Sequence, residues 1–142
     1  MNFLVIGSGA REHIMAEKLR DSGSDVYCII TNLNPGLLDL SIRYCQVNDY
    51  HSPISKKIIL DFSKDRSIDC VVIGPENPLA SGIADMFWKY GIPVVGPIKH
   101  LAQIESSKGF TRDLLRKYDI AASPAYKRFK TISGASDFLD KL

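Results

Sequence analysis

The stretch LVIGSGAREH, Leu4 to His13, places Gly7 and Gly9 directly before Arg11 and Glu12, a combination able to hold an anion where a strand turns into a helix. Two glycines let the backbone come close to a ligand. The amides of Ser8 through Arg11, Ala10 included, would stand at a helix N-terminus, where unpaired donors and the dipole favour negative charge, and Arg11 adds a full positive one. A dinucleotide fits this loop poorly. Its fingerprint asks for a third glycine where Glu12 stands, and for an acid after the second strand, where the sequence reads IITNLN. A phosphomonoester is the better guest, and a nicotinamide-dependent oxidoreductase is disfavoured. Taken alone, the glycine pair is also compatible with a plain tight turn.

Two further loops carry polar residues suited to the same task. GPENPL, Gly74 to Leu79, mounts Glu76 between prolines, where its carboxylate would accept hydrogen bonds from ribose hydroxyls or an amine, or else face solvent in the first turn of a helix. NLNPG, Asn32 to Gly36, would supply a third wall. Lys108, in ESSKGF, belongs to no Walker pattern and reads as an exposed helix residue. His13, His51 and His100 share no spacing that would gather them, and Cys28, Cys45 and Cys70 are far apart and never Cys-x-x-Cys. No catalytic residue and no metal site are assigned.

These loops need a scaffold, and the chain alternates strand and helix patterns. FLVIG at Phe3, VYCII at Val26, CVVIG at Cys70 and IPVVG at Ile92 are nearly unbroken apolar runs, as strands buried on both faces of a parallel sheet are, and RYCQV around Tyr44 adds a short strand. Between them fall helix-period stripes: Ile14, Met15 and Leu19; Ile54, Ile58, Ile59 and Phe62; Ile83, Met86, Phe87 and Tyr90. Ser52-Pro53 and Asn77-Pro78 read as N-caps followed by proline at the first helical position, and Gly23 and Gly91 as C-caps. The expectation is a doubly wound, mostly parallel α/β domain of Rossmann type over residues 1–97, with a strand order such as 3-2-1-4 that brings the GSGAREH and GPENPL loops to one cleft.

Residues 98–142 read as linker helices and the beginning of a second region. KHLAQIESSKGFTRDLLRKYDI is helical with Phe110, Leu114, Leu115 and Tyr118 on one face, SPAYKRF is a strand, and a last helix carries Phe138, Leu139 and Leu142. That stripe implies either a following domain or a terminal helix packed back on the sheet.

At 142 residues, 45% hydrophobic and 24% charged, the composition is that of an ordinary globular chain. A formal charge of +2 gives no reason to expect nucleic acid or an anionic membrane as partner, and no apolar run reaches spanning length. A small molecule and a reducing cytoplasm fit best.

Together, VIGSGAREH, NPG, VVIGPENPLASGIAD, GIPVVGP and AQIESSKGF resemble, in order, the N-terminal hallmarks of the glycinamide ribonucleotide synthetase (phosphoribosylamine-glycine ligase) family of purine biosynthesis, within the ATP-grasp superfamily. The resemblance spans essentially the whole chain. It implies an ATP-dependent carbon-nitrogen ligase in which ATP activates glycine as an acyl phosphate and the amine of 5-phosphoribosylamine attacks it. This chain would be the part that binds the phosphoribosyl substrate, with Gly7, Gly9, Ala10 and Arg11 at its phosphoribosyl portion, Glu12 and Glu76 at its polar groups, and Asn34, Pro35 and Gly36 in the cleft wall. Lys108 matches the lysine that reaches ATP phosphates. The resemblance further implies ATP with Mg2+ or Mn2+ in the full enzyme, neither held by this portion alone, and an ATP-grasp domain supplied in cis or in trans, without which the chain would be inactive. Ala10, Leu33, Ser106 and the segment YDIAAS depart from the family's usual residues, which keeps open a paralogue with another amine or acid. A binding or regulatory module for a phosphorylated sugar or nucleotide, without chemistry, is the alternative.

Overall fold

Leu4, Val5 and Ile6 are all inaccessible to solvent, so consecutive residues of the first strand are buried on opposite faces, as the unbroken apolar run requires. The computed structural model describes residues 1–121 and 123–142; residue 122, in the YDIAAS segment, lies outside the described residues. The five strands are β1 (Asn2–Ile6), β2 (Asp25–Ile30), β3 (Arg43–Gln46), β4 (Cys70–Ile73) and β5 (Val94–Val95). All pair in parallel, in the order β3-β2-β1-β4-β5. The chain runs outward from β1 to one edge, then returns to place β4 on the other side of β1, so the switch point lies between β1 and β4.

Helices cover both faces. Leu4 and Ile6 of β1 pack with Ile29, Val71 and Ile73 against α3 (Pro53–Lys64) and α5 (Ile83–Lys89), through Ile59, Phe62, Ile83 and Phe87. Val5 packs with Val26, Cys28 and Ile30 against α1 (Ala10–Asp21) and α2 (Pro35–Leu40), through Ala16 and Leu37. The doubly wound parallel sheet expected from the sequence is present. Burial pushes the Cys28 thiol up to about 12, and the Cys45 and Cys70 thiols also lie above their ordinary value because they are partly buried; all three are free.

The caps hold in part. Ser52 Oγ accepts from the Ser55 amide at 3.1 Å with Pro53 at the first helical position, and Gly23 and Gly91 close α1 and α5 with φ of 79° and 74°. Asn77 does not cap: α4 (Glu76–Ala80) begins one residue before it, with extended Pro75 as N-cap, and Pro78 is tolerated because first-turn amides need no intrahelical acceptor. The pair that does cap a helix in this manner is Asn34-Pro35, where Asn34 Oδ1 accepts from the Leu37 amide at 3.3 Å and opens α2. Ile54 and Ile58, expected on the core stripe of α3, are 74% and 43% exposed, because the helix turns Ser55, Ile59 and Phe62 inward. Ile14 and Tyr90 are half exposed as well.

The chain divides into two compact units, Met1–Ala102 and Gln103–Leu142. The long helix expected from Lys99 to Ile120 is two helices, α6 (Lys99–Ser106) and α7 (Lys108–Lys117), because Ser107 adopts an extended conformation and its Oγ caps the Phe110 amide at 3.3 Å. SPAYKRF is not a strand: residues 123–129 are irregular and have no ladder partner. They are tied to α7 instead. Asp113 accepts from Arg128 Nη1 at 2.6 Å and Tyr126 Oη at 2.8 Å, bonds that hold its carboxyl below the usual range. In α8 (Ala135–Leu139), Phe138 meets Phe129 edge-on at 5.9 Å, while Leu139 and Leu142 are exposed. Among the described residues, no helix is long and apolar enough to cross a membrane.

Truncating Phe87 to alanine should destabilise the chain by roughly 3–5 kcal/mol, whereas Ile54→Ala should stay within about 0.5 kcal/mol. Urea denaturation of the two variants checks the contrast.

Candidate functional site

Four loops leave the carboxyl ends of β1, β2, β3 and β4, and a cavity of about 470 Å3 lies among them. Gly9 caps α1 with φ −92° and ψ −177°, so the amides of Ala10, Arg11 and Glu12 have no acceptor within the helix. A helix of twelve residues brings its positive end to this point.

Serine 8 fastens the first loop to the second. Ser8 Oγ accepts from the amides of Thr31 at 2.9 Å and Asn32 at 3.2 Å, while Asn34 Nδ2 donates to the Ser8 carbonyl at 3.1 Å. Glu12 fastens the first loop to the fourth. Its side chain is buried, Oε2 accepts from the Gly9 amide at 2.7 Å, and the rest of the carboxylate lies over Gly74 so closely that a Cβ there would fall 2.0 Å from Oε1. Gly7, at φ 135°, combines a left-handed conformation with the same crowding: its Cβ would stand 2.6 Å from Glu12 Cγ and 2.8 Å from Pro75 Cδ. Arg11 Nη1 donates to the Gly74 carbonyl at 3.0 Å with its guanidinium exposed beside the cavity mouth.

The third loop supplies Tyr50. It belongs to the core cluster and also lines the cavity, with its hydroxyl buried beside the Thr31 and Ser8 side chains. Asp49 holds the loop in shape by accepting from the amides of His51 and Ser52, each at 2.6 Å, and these bonds hold its carboxyl below the usual range.

Of the residues expected at the site, Gly9, Ala10, Arg11 and Glu12 line the cavity. Gly7 and Asn34 shape it from behind, through the crowding and hydrogen bonds above. Pro35 starts α2, and Gly36 seats His13: a Cβ there would fall 2.2 Å from the imidazole Cε1. Glu76 is exposed on α4 outside the lining, where its neighbours Pro75 and Asn77 take part. Lys108 opens α7 in the second unit, lining a smaller cavity of about 170 Å3 with Glu105 and Arg112. Ser8 and Asn32, expected at the cleft only as part of their loops, also line it, and Thr31, Tyr50, Pro75 and Asn77 are lining residues to which the sequence motifs gave no binding role. Thr31, Pro75 and Asn77 sit within or beside the quoted loops, whereas Tyr50 follows the short strand β3 and carries no motif. Among the described residues, no three His, Cys, Asp or Glu side chains gather into a metal-binding cluster.

The fold is shared with solved enzymes. The chain superposes on N5-carboxyaminoimidazole synthetase from Staphylococcus aureus, complexed with ADP, at a TM-score of 0.75 and 13% identity, covering 99% of this chain and 36% of that one. It superposes on phosphoribosylglycinamide synthetase from Anaerococcus prevotii at 0.67 and 16% identity, covering 99% and 32%. These likenesses establish the fold. Residues 1–105 match the family described as phosphoribosylglycinamide synthetase, N domain, and the chain belongs to that family. The phosphoribosylamine–glycine ligase of Methanopyrus kandleri is 40% identical over 145 residues, covering 100% of this chain and 31% of that protein. The chain therefore spans about a third of the length of the curated relatives it matches.

Gly74→Ala should cost about 1–3 kcal/mol through the clash with Glu12, and Glu12→Ala a comparable amount by leaving the Gly9 amide unpaired. The double variant should be less destabilised than the sum, since removing the carboxylate makes room for the new methyl. A double-mutant cycle in urea measures the coupling; strict additivity would contradict the packing described.

Proposed function

We propose that this chain is the phosphoribosyl-binding portion of an ATP-dependent ligase that joins glycine to 5-phosphoribosylamine in purine biosynthesis. The observation that carries the reading is the donor-lined cavity at the N-terminus of α1, with Arg11 at its mouth, in a member of the phosphoribosylglycinamide synthetase N-domain family. The substrate's phosphate sits against the free amides of Ala10 and Arg11 and the Arg11 guanidinium. The polar side chains of Asn32 and Asn77 face its ribose, with Glu76 and the α2 turn around Asn34, Pro35 and Gly36 at the cavity's margin.

In the ligation, the carboxylate of glycine attacks the γ-phosphorus of ATP, releasing ADP and forming an acyl phosphate. The amine of phosphoribosylamine attacks that carbonyl, phosphate leaves, and the nitrogen gives up a proton. This chain's contribution is to hold the amine substrate by its phosphate, so that a bimolecular attack becomes a positioned one. ATP and its Mg2+ or Mn2+ bind in the part of the enzyme corresponding to the remaining two thirds of the relatives, with Lys108 directed at ATP phosphates, and the assembled protein works in the cytoplasm. ADP in the Staphylococcus aureus neighbour and the name of the Methanopyrus kandleri relative support this reading.

Calorimetric titration of the chain with ribose 5-phosphate, which shares the substrate's phosphate and sugar, should show saturable binding. Arg11→Ala should weaken it by about 1–3 kcal/mol, roughly 5- to 150-fold. Absence of binding, or equal affinity in the variant, would remove the phosphate from this cavity. For the chemistry, glycine-dependent ADP release should require this chain together with the two thirds of the Methanopyrus kandleri relative that it does not cover.

A further inference from the structure

The Tyr50 hydroxyl is buried without a hydrogen-bond partner, and it is the one such side-chain atom among the described residues. Tyr50 is only 7% exposed, and burial pushes its phenol above the ordinary value, so it stands in the cavity lining as a neutral phenol. The hydroxyls of Thr31 and Ser8 are its neighbours and offset that shift in part, yet neither forms a hydrogen bond of acceptable geometry with it. Ser8 is unable to accept one: both lone pairs of its Oγ are taken by the Thr31 and Asn32 amides. Thr31 Oγ1 lies 3.5 Å from Ser8 Oγ.

The walls therefore present several donors beside the amide side chains of Asn32 and Asn77. The amides of Ala10 and Arg11 have no intrahelical acceptor, the Tyr50 hydroxyl has no partner, the Arg11 guanidinium spends one N–H on the Gly74 carbonyl and keeps the others, and Oε2 of Glu12 is engaged by the Gly9 amide. A buried phenol with no partner is held in place by its ring, which is packed in the core, and by the Asp49 turn beside it. That arrangement keeps a donor ready for an acceptor that arrives with the ligand.

We infer that Tyr50 is a binding residue whose hydroxyl donates to an oxygen of the phosphosugar. This rests on the reading of the cavity as a phosphoribosyl site and adds to it a residue from the β3 loop. A second cavity of about 340 Å3 adjoins across Thr31, Asn32, Tyr50 and Asn77, so Tyr50 stands where a ligand longer than a phosphate passes from one to the other.

The role gives effects of opposite sign on binding and stability, which a structural hydrogen bond would not. In Tyr50→Phe the ring remains, a buried unpaired hydroxyl is removed, and the melting temperature of the unliganded chain should stay the same or rise. Affinity for ribose 5-phosphate, titrated calorimetrically, should fall roughly ten-fold. Unchanged affinity in Tyr50→Phe, with wild-type binding intact and still sensitive to Arg11→Ala, would overturn the role of Tyr50 alone. A lowered melting temperature with unchanged affinity would do the same and make the hydroxyl structural. Failure of the wild-type chain to bind ribose 5-phosphate would overturn the site reading and this inference together.

Discussion

The hydrogen bond from the Gly9 amide to Glu12 Oε2, 2.7 Å long, is made in space left by glycines on two neighbouring loops. In a dinucleotide-binding loop, the residue at this helix position is a glycine so that helix and strand can approach. Here the order is reversed: the helix carries a buried carboxylate, and Gly7 and Gly74 make the room for it. The anion lies in the first turn of α1, where the helix dipole offsets part of its desolvation, and its oxygen satisfies a backbone donor that would otherwise be stranded. Because Glu12 touches both loops at the switch point, it sets the separation of the cavity's two principal walls.

That constraint leaves a distinct chemistry for the cavity. With Glu12 Oε2 turned onto the backbone, and Ser8 Oγ accepting from two amides, the charged group left facing the ligand is the Arg11 guanidinium, beside the free amides at the start of α1. A dianion meets such a surface better than a sugar hydroxyl alone or a cation would. Among the described residues lining the cavity, Arg11 is the only cationic side chain, and one of its nitrogens is already held by the Gly74 carbonyl. The same bond that limits its freedom also fixes it at the mouth, so little side-chain entropy is lost when it meets a phosphate.

Much of the fold was legible because it rests on burial. Apolar runs such as FLVIG have no polar face to leave in water, and they became central strands with helices on both sides. Where several residue types satisfy the same local rule, the reading slipped. Asn34-Pro35 and Asn77-Pro78 carry the same signal, yet only the former caps, because Pro75 had already set the extended residue before α4. Ile54 and Ile58 fit the helical period but fall outside the core, since the period fixes the spacing of a stripe and not its direction. SPAYKRF shows the remaining case: a strand depends on a partner ladder, which the local sequence does not encode.

The site divides along the same line. Arg11, Gly9 and Ala10 were legible because a glycine loop leading into a helix creates its anion affinity from the backbone, locally and with a sequence mark. Tyr50 was not, because its relevance arises only when β3 pairs with β2 and carries the following loop to the rim of a cavity begun some forty residues earlier in the chain. Nothing in the residues flanking Tyr50 distinguishes it from a core tyrosine, and its ring is in fact one. What distinguishes it is a buried hydroxyl left without a partner beside a Ser8 Oγ that already accepts from two amides. Such a group is defined by tertiary closure, so a donor-lined site on this fold is found by tracing which polar atoms the scaffold leaves unsatisfied, after motifs have located the helix end.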